Sequence, residues 1–150
     1  MQNLKALNLW RVALVDSVRR EGPDLSARQM ALALTVYLTD PPHTVRGLAQ
    51  TLNISKPAIT RALDRLSVLG YIKRKRDTED RRNVLVQRTV KGSVFLSEFA
   101  DMVIRAGAVS AEDMAAFLAA EAVAKAAQET FERNNLAGGV SGAGASLPPV

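Results

Sequence analysis

A block of basic side chains in the middle of the chain is the group of residues best suited to bind a partner. Residues 56–91 carry eleven basic and four acidic side chains, whereas residues 92–150 carry three basic and seven acidic ones. Positive charge confined to one stretch of a folded domain is typical of a surface that binds a polyanion, most often nucleic acid. The alternative is a basic face that only contacts solvent, because lysine and arginine are ordinary surface residues.

The residue types needed for other chemistry are missing. The sequence has no cysteine, which excludes disulfides, thiolate metal sites and cysteine redox switches. The single histidine, His43, has no metal-binding partner in its surroundings, and no nucleophile–base pair or phosphate-binding glycine loop is present. We therefore expect no enzyme activity, no metal and no cofactor.

Length and composition predict one soluble domain. The chain has 150 residues, of which 47% are hydrophobic and 23% are charged, and this fits a single compact domain. The N-terminus has no signal-peptide pattern, and the longest apolar run, around Met30 to Leu38, is far shorter than the roughly 18 residues that span a membrane. These observations predict a cytoplasmic protein that does not bind membranes.

Helical periodicity and capping residues predict four helices in the first half of the chain. An apolar stripe that includes Leu4, Leu7 and Trp10 predicts an amphipathic helix over residues near 3–20, which Gly22-Pro23 ends. The other three are a helix from near residue 27 with Ser26 and Gln29 as a capping box, a short helix from Val45 to Leu52 capped by Thr44, and a helix from Lys56 to about Leu69 capped by Ser55, with Pro57 in its first turn.

The third and fourth helices, joined by the short turn 53–55, have the pattern of a helix-turn-helix. In the fourth helix the leucines and Ile59 share one face, whereas Arg61 points away from it. The amides after Ser55 can bind a phosphate, and Lys56 adds a full charge there. Arg61 can donate two hydrogen bonds to guanine, and Thr60 can contact phosphate or a thymine methyl.

Two residues of this helix have a second interpretation. Ser55 caps the helix even if it touches no DNA. Arg65 can bind phosphate, but it can equally pair with Asp64 or Glu79.

A β-hairpin follows, with strands at residues 71–76 and 84–88 and a charged tip between them. Strand alternation places only half of the consecutive cations at positions 73–76 on one face. Arg81 and Arg82 lie at the tip, where a two-stranded ribbon can reach a minor groove. We expect Asp80 to orient Arg61 or Arg82 through a charge-assisted bond. The alternative is an acid of the turn that only contacts solvent.

The C-terminal half is predicted to be helical in two pieces. Thr89 can cap a helix that runs to about Arg105, and Gly107 is expected to interrupt it. Ser110 then suggests the cap of a long alanine-rich helix. Residues 136–150 carry no charge and have little to bury, so we expect a disordered tail.

The ordered motifs of residues 44–95 resemble the MarR family of winged-helix transcription regulators. About a third of the chain matches this family in order and spacing. Arg88 departs from the pattern, because a leucine is usual there. The motifs that carry the resemblance are Leu48-Ala49, the helix Ser55-Lys56-Pro57-Ala58-Ile59-Thr60-Arg61-Ala62-Leu63-Asp64-Arg65-Leu66, then Leu69-Gly70-Tyr71-Ile72, Asp80-Arg81-Arg82 and Thr89-Val90-Lys91-Gly92.

The resemblance implies a mainly α (α+β) fold, a winged helix-turn-helix with N- and C-terminal dimerisation helices. One MarR-like domain would span 1–135, with the DNA-binding part at about 27–92 and dimerisation helices at about 3–20 and 93–135. Each subunit of a homodimer would place its fourth helix in a major groove and Arg82 in a minor groove, with Asp80 supporting the wing. The residues assigned to DNA binding are Ser55, Lys56, Pro57, Ala58, Thr60, Arg61, Arg65, Arg81 and Arg82.

The apolar surface of the terminal helices also favours a dimer, because Leu4, Trp10, Phe117 and Phe131 exceed what the small central core can cover. The alternative is that these helices fold back on their own subunit. A two-fold dimer predicts a pseudo-palindromic double-stranded operator with half-sites about 10 bp apart.

The predicted function is a sequence-specific, dimeric DNA-binding transcription regulator, acting as a repressor. The alternative is a winged-helix module that binds protein without specific DNA binding. Many family members respond to small aromatic acids or to thiol oxidation, and the absence of cysteine closes the second route. Trp10, Tyr37, His43 and Arg46 lie near the expected helix junctions of a ligand pocket, but no effector follows from them.

Overall fold

A computed structural model describes residues 2–138 of the chain as five α-helices and a small antiparallel sheet. None of the helices in this part of the chain has both the length and the apolar composition to cross a membrane. The elements in chain order are α1 (Gln2–Arg19), α2 (Ala27–Leu38), β1 (His43–Thr44), α3 (Val45–Leu52), α4 (Lys56–Val68), β2 (Ile72–Arg76), β3 (Val84–Arg88) and α5 (Val90–Gly138).

The helix starts in the first half are confirmed together with their caps. The Ser26 side chain accepts a hydrogen bond from Gln29, whose own side chain accepts from the Ser26 amide, as a capping box requires. The Thr44 hydroxyl accepts from the Gly47 amide at 3.0 Å and so starts α3. Asn53 ends α3 in the left-handed region, at φ 51°, which lets the chain turn sharply into α4.

The sheet has the strand order β1-β3-β2, with both pairs antiparallel. The β2–β3 hairpin confirms the predicted strands, and we call residues 72–88 the wing. The first strand, β1, was not predicted, because two residues are too few to show an alternating pattern. It pairs His43 with Val86 and Thr44 with Leu85, so the wing is joined to the segment before α3.

The core lies where α2, α3 and α4 meet the inner face of the sheet. Ile59, Leu63 and Leu66 of α4 are fully buried there, as the helical wheel predicts. Leu32 and Val36 of α2, Leu48 of α3 and Ile72 and Val86 of the sheet complete the same cluster. The exposed face of α4 is therefore set by the burial of its opposite face.

The predicted break in the C-terminal helix is wrong. Val90–Gly138 is one helix of 49 residues, and it passes through both Gly107 and Ser110. A glycine inside a helix costs only about 1 kcal/mol, and Gly107 packs against Leu9 of α1. Ser110 is buried and accepts a hydrogen bond from the Asn8 side chain at 3.2 Å, so its hydroxyl serves packing against α1 and does not cap a helix.

The predicted tail is only partly covered by the structure. Residues 136–138 continue α5 and so differ from the expectation, whereas residues 139–150 lie outside the described part of the chain. The division of the chain into a DNA-binding part and dimerisation helices stays a prediction.

Candidate nucleic-acid interface

The start of α4 is an exposed turn held by its cap. The Ser55 hydroxyl accepts from the Ala58 amide at 3.3 Å, while Lys56 and Pro57 are exposed. Proline has no amide hydrogen, and Ala58 has already used its own. The anion site expected at this helix end therefore consists of the Lys56 amide and the Lys56 ammonium group, a smaller site than a full turn of amides.

The outer face of α4 presents three of its predicted DNA-binding side chains. Arg61 and Arg65 are exposed, and Thr60 is half-buried. The Thr60 hydroxyl donates to the Lys56 carbonyl at 2.9 Å, so it can donate to phosphate only by breaking that bond. Ala58, the fourth helix residue assigned to DNA binding, is 8% exposed and packs with the core, so little of its surface is available to a ligand.

One ion pair joins the outer face of α4 to the wing. Arg74 of β2 lies with its Nη2 2.7 Å from Oδ1 of Asp64 on α4. The sequence offered Asp64 and Glu79 as partners of Arg65, but neither forms an ion pair with Arg65 in residues 2–138. This contact brings the base of the wing beside the exposed face of α4, which carries Arg61.

Two kinds of hydrogen bond hold the wing tip: bonds between backbone groups, and bonds in which an aspartate side chain accepts from a backbone amide. The Asp77 amide donates to the Asn83 carbonyl at 3.1 Å, and the Asn83 amide donates to the Asp80 carbonyl at 3.0 Å. Asp77 also accepts from the Glu79 amide at 3.0 Å. This arrangement fixes the turn while its arginine side chains stay exposed.

Asp80 supports the wing in a different way from the one expected. Its carboxylate accepts from the backbone amide of Arg82 at 3.1 Å, and no ion pair with Arg61 or Arg82 is present within the described chain. A carboxylate two residues before an amide reaches that amide through a short local turn, which satisfies the acid before any long side chain can. The guanidinium groups of Arg81 and Arg82 are left exposed.

Arg88, the departure from the family pattern, binds the end of α2. Its Nε donates to the Val36 carbonyl and its Nη2 to the Thr39 carbonyl, both at 2.8 Å. These carbonyls lie at the C-terminal end of α2, where cations are favoured by the helix dipole. The guanidinium also lies 5.9 Å from the centre of the Tyr37 ring. Sequence reasoning missed this role, because the bonding partners are about fifty positions away.

Tyr37 was expected near a ligand pocket, but its hydroxyl connects the two ends of the wing. It donates to the Tyr71 carbonyl at 2.7 Å and accepts from the Thr89 amide at 2.8 Å. Of the other residues suggested for a pocket, His43 has its Nε2 3.2 Å from the Thr39 carbonyl. Tyr37 and His43 thus both serve local structure.

Tyr71 lies at the junction of α4, the wing and α5. Its ring stacks on Phe95 with centroids 4.3 Å apart, and the residue is 6% exposed. Burial raises the pKa of Tyr71 above its ordinary value of 10.0, the charge of Glu98 raises it further, and Arg65 opposes both. The phenol is therefore neutral at physiological pH.

No group of three or more histidine, cysteine, aspartate or glutamate side chains that could hold a metal ion is present in residues 2–138. The region offers exposed cations on a helix and on a hairpin tip, which suit a polyanion.

Comparison with known proteins matches this region to a family. The model of the MarR family matches residues 25–84, from the loop before α2 to the start of β3. No curated protein sequence matches the chain.

Solved structures share the fold. A cysteine-to-serine mutant of MarR from E. coli is 24% identical, with 90% of this chain and 89% of that chain covered and a TM-score of 0.54. The same kind of mutant complexed with operator DNA is 23% identical, with 87% and 86% covered and a TM-score of 0.54. A transcriptional regulator from Thermotoga maritima is 23% identical, with 88% and 84% covered and a TM-score of 0.52. The fold is the mainly helical winged helix-turn-helix of these structures.

Proposed function

We propose that this chain, whose residues 25–84 match the model of the MarR family, is a DNA-binding transcription regulator of that kind and reads double-stranded DNA with α4 and the wing tip. The observation that carries this proposal is the ion pair between Asp64 and Arg74, at 2.7 Å. It holds the exposed arginine face of α4 next to a hairpin whose tip exposes Arg81 and Arg82. The solved mutant of MarR with operator DNA, which is similar to this chain, supports the same use of the fold.

In this proposal α4 enters a major groove and the wing tip lies over the neighbouring minor groove. Arg61 donates to base edges, most favourably to guanine. Lys56 and its amide bind a phosphate at the helix start, beside Ser55 and Pro57, and Arg65 binds a further phosphate. Arg82 enters the minor groove, where a narrow groove concentrates negative potential, and Arg81 binds the backbone there.

The apolar side chains of α1 and α5 support a homodimer. Leu7 is 65% exposed and Phe117 is 50% exposed, and both line a groove of about 750 Å³ between the two helices. Beyond Leu118, the apolar Val123 and Phe131 are 70% and 63% exposed. Large exposed apolar side chains on paired helices are typical of an interface. A two-fold dimer would bind a pseudo-palindromic operator with half-sites about 10 bp apart.

Repression is the mode of regulation that this arrangement serves most directly. A dimer that covers two successive major grooves blocks other proteins from the same DNA without recruiting any partner. The proposal places the protein in the cytoplasm and includes neither a metal nor a cofactor.

The test is selection of bound fragments from random DNA, followed by titration of the selected site and of unrelated duplex DNA at several salt concentrations. We expect the selected site to be preferred at least about a thousandfold, and binding to weaken steeply with salt. Light scattering of the complex should report two chains per site. A protein that does not bind duplex DNA near physiological salt, but captures a protein partner, would instead be the winged-helix interaction module.

Two variants assign the contacts. Arg61→Ala should flatten discrimination between sequences, whereas Arg82→Ala should weaken binding to all sequences and lower the salt slope by about one unit. Arg28→Ala, at an exposed position in the first turn of α2 that is assigned no DNA or dimer contact, is the matched control and should bind like the parent. If Arg61→Ala and Arg82→Ala both bind the selected site like the parent, these contacts are wrong.

A further inference from the structure

Arg74 differs from the three cations beside it in the run 73–76. Its side chain is 31% exposed and lies 2.7 Å from Asp64, whose side chain is 55% exposed. Lys73, Lys75 and Arg76 are exposed and form no ion pair within residues 2–138. Composition alone gives these four residues the same role, as a basic patch for phosphate, but the contact separates Arg74 from its neighbours.

The register of the wing explains why Arg74 reaches α4. Arg74 lies opposite Val86, and Ile72 two positions earlier shares its face of the sheet. Val86 and Ile72 are 3% and 2% exposed, so this face packs on the core. Arg74 leaves the core side of β2 at its edge and meets the exposed side of α4. Lys73 and Lys75 point to the opposite face of the wing.

Asp64 stands where an unpaired carboxylate would disturb DNA binding. It lies three positions after Arg61, which places the two side chains about one turn apart on the same face of α4. An unpaired Asp64 would attract Arg61 away from DNA and would also repel phosphate. With Arg74 at 2.7 Å, Asp64 is neutralised by a residue of the wing.

The same contact fixes the distance between the two parts that read DNA. Residues 69–71 and the shared core of Ile72, Val86 and the buried face of α4 already join α4 to the wing, and the ion pair adds a restraint on the exposed side, near the middle of β2. A preorganised pair of reading elements loses less conformational freedom when both engage their grooves at once. Non-specific binding, which needs no exact placement, gains much less from this restraint.

We propose that Arg74 is a positioning residue, which binds Asp64 instead of DNA and thereby holds the wing against α4 and leaves Arg61 free for base contacts. This rests on the proposed function, since it concerns how the same surface reads DNA. The Asp64–Arg74 pair therefore contributes to sequence preference, and its effect can be measured separately from that of the phosphate contacts around it.

The salt dependence of DNA binding distinguishes a positioning residue from a phosphate contact. Each phosphate contact contributes about 0.9 to the slope of log K against log salt. Arg74→Met should keep the parental slope on unrelated duplex DNA, while its affinity for the selected site falls about tenfold. Asp64→Asn should raise the slope by about one unit, because the released Arg74 can bind phosphate, and should lower the preference for the selected site.

The double variant Asp64→Asn/Arg74→Met provides the decisive comparison. Removing the unpaired carboxylate should restore part of the affinity that Arg74→Met loses, so the double variant should bind the selected site more tightly than Arg74→Met. The pair is too exposed to be required for folding, and far-UV circular dichroism of each variant verifies this.

The opposite results would overturn the proposal. If Arg74→Met lowers the slope by about 0.9 and weakens selected and unrelated DNA equally, Arg74 is a phosphate contact. A double variant that binds more weakly than either single variant would exclude competition between Asp64 and DNA for Arg61. A parent protein that does not bind duplex DNA would instead refute the proposed function. Arg81→Ala, which removes the proposed backbone contact of the wing tip, serves as the reference for loss of one phosphate contact.

Discussion

Replacing Gly92 by alanine should destabilise the fold strongly, although the same change usually favours a helix. Gly92 lies in the first turn of α5 and is buried. A Cβ atom at this position would overlap the Tyr37 hydroxyl and the Tyr71 carbonyl, and would lie 2.8 Å from Tyr37 Cζ. The Tyr37 hydroxyl is bonded to the Tyr71 carbonyl and the Thr89 amide, so displacing it breaks two hydrogen bonds as well.

The magnitude follows from three contributions. Overpacking a close-packed site costs about 1–3 kcal/mol, and each lost hydrogen bond costs about 1 kcal/mol. The helix propensity of alanine over glycine offsets at most about 1 kcal/mol. We expect the free energy of unfolding to fall by about 2–4 kcal/mol, and the melting temperature to fall by roughly 5–15 °C for a chain of this length.

The assay is chemical denaturation of the parent and of two variants, at matched protein concentration. Gly107→Ala is the control, because it makes the same change in the same helix, where the nearest atom to the added Cβ is Leu9 Cδ1 at 3.8 Å. This contact is ordinary, so Gly107→Ala should stabilise the protein by up to about 1 kcal/mol. The two variants should therefore differ in sign.

A further variant separates the overlap with the Tyr37 hydroxyl from the overlap with the Tyr71 carbonyl. In a Tyr37→Phe background the hydroxyl is absent, but the Tyr71 carbonyl is still in place, so Gly92→Ala should remain destabilising by a smaller amount. If the free energy of unfolding of Gly92→Ala lies within about 0.5 kcal/mol of that of the parent, the packing described between α2, the wing and α5 is wrong.

Arg88→Leu, which restores the residue usual in the family, should lower the free energy of unfolding by about 1–3 kcal/mol, because two carbonyls at the end of α2 lose a charged donor. Chemical denaturation checks this, with Lys75→Leu on the neighbouring strand as the control; equal stability of the Arg88 variant and the parent would contradict it. In Tyr71→Phe the free energy of unfolding should fall less at high pH than in the parent. The raised pKa of Tyr71 means that its protonated phenol stabilises the fold fully below about pH 10, and that this stabilisation is lost as the pH rises through the folded-state pKa. Unfolding curves from pH 8 upwards measure this difference, and parallel pH profiles would show that Tyr71 does not cause it.

The local signals in the sequence predicted most of the first half of the fold. Ser26, Thr44 and Ser55 cap their helices as expected, because a cap depends only on residues within one turn. The wing strands were also predicted from their β-branched and alternating residues. The starts of α2, α3 and α4 each follow from three or four consecutive residues.

The wrong or missed predictions concern residues whose structure depends on contacts with elements far away in the sequence. Gly107 and Ser110 look like a helix break locally, but α1 packs against both and keeps α5 continuous. Arg88 and Arg74 have partners in other elements that no spacing rule brings together. The carboxylate of Asp80 shows the opposite effect, because a local backbone amide took the place of the expected distant arginine.

The unbroken length of α5 has a mechanical consequence for the wing. Only Thr89 stands between β3 and α5, so the start of the helix is joined almost directly to the end of the second wing strand. A helix of 49 residues is about 73 Å long. Moving its far end sideways by about a tenth of that length turns it by only ~6° at Thr89. Because Gly92 and Phe95 at the start of α5 pack on Tyr37 and Tyr71 beside the wing, a sideways displacement of the far end would reach the wing only as this small angle.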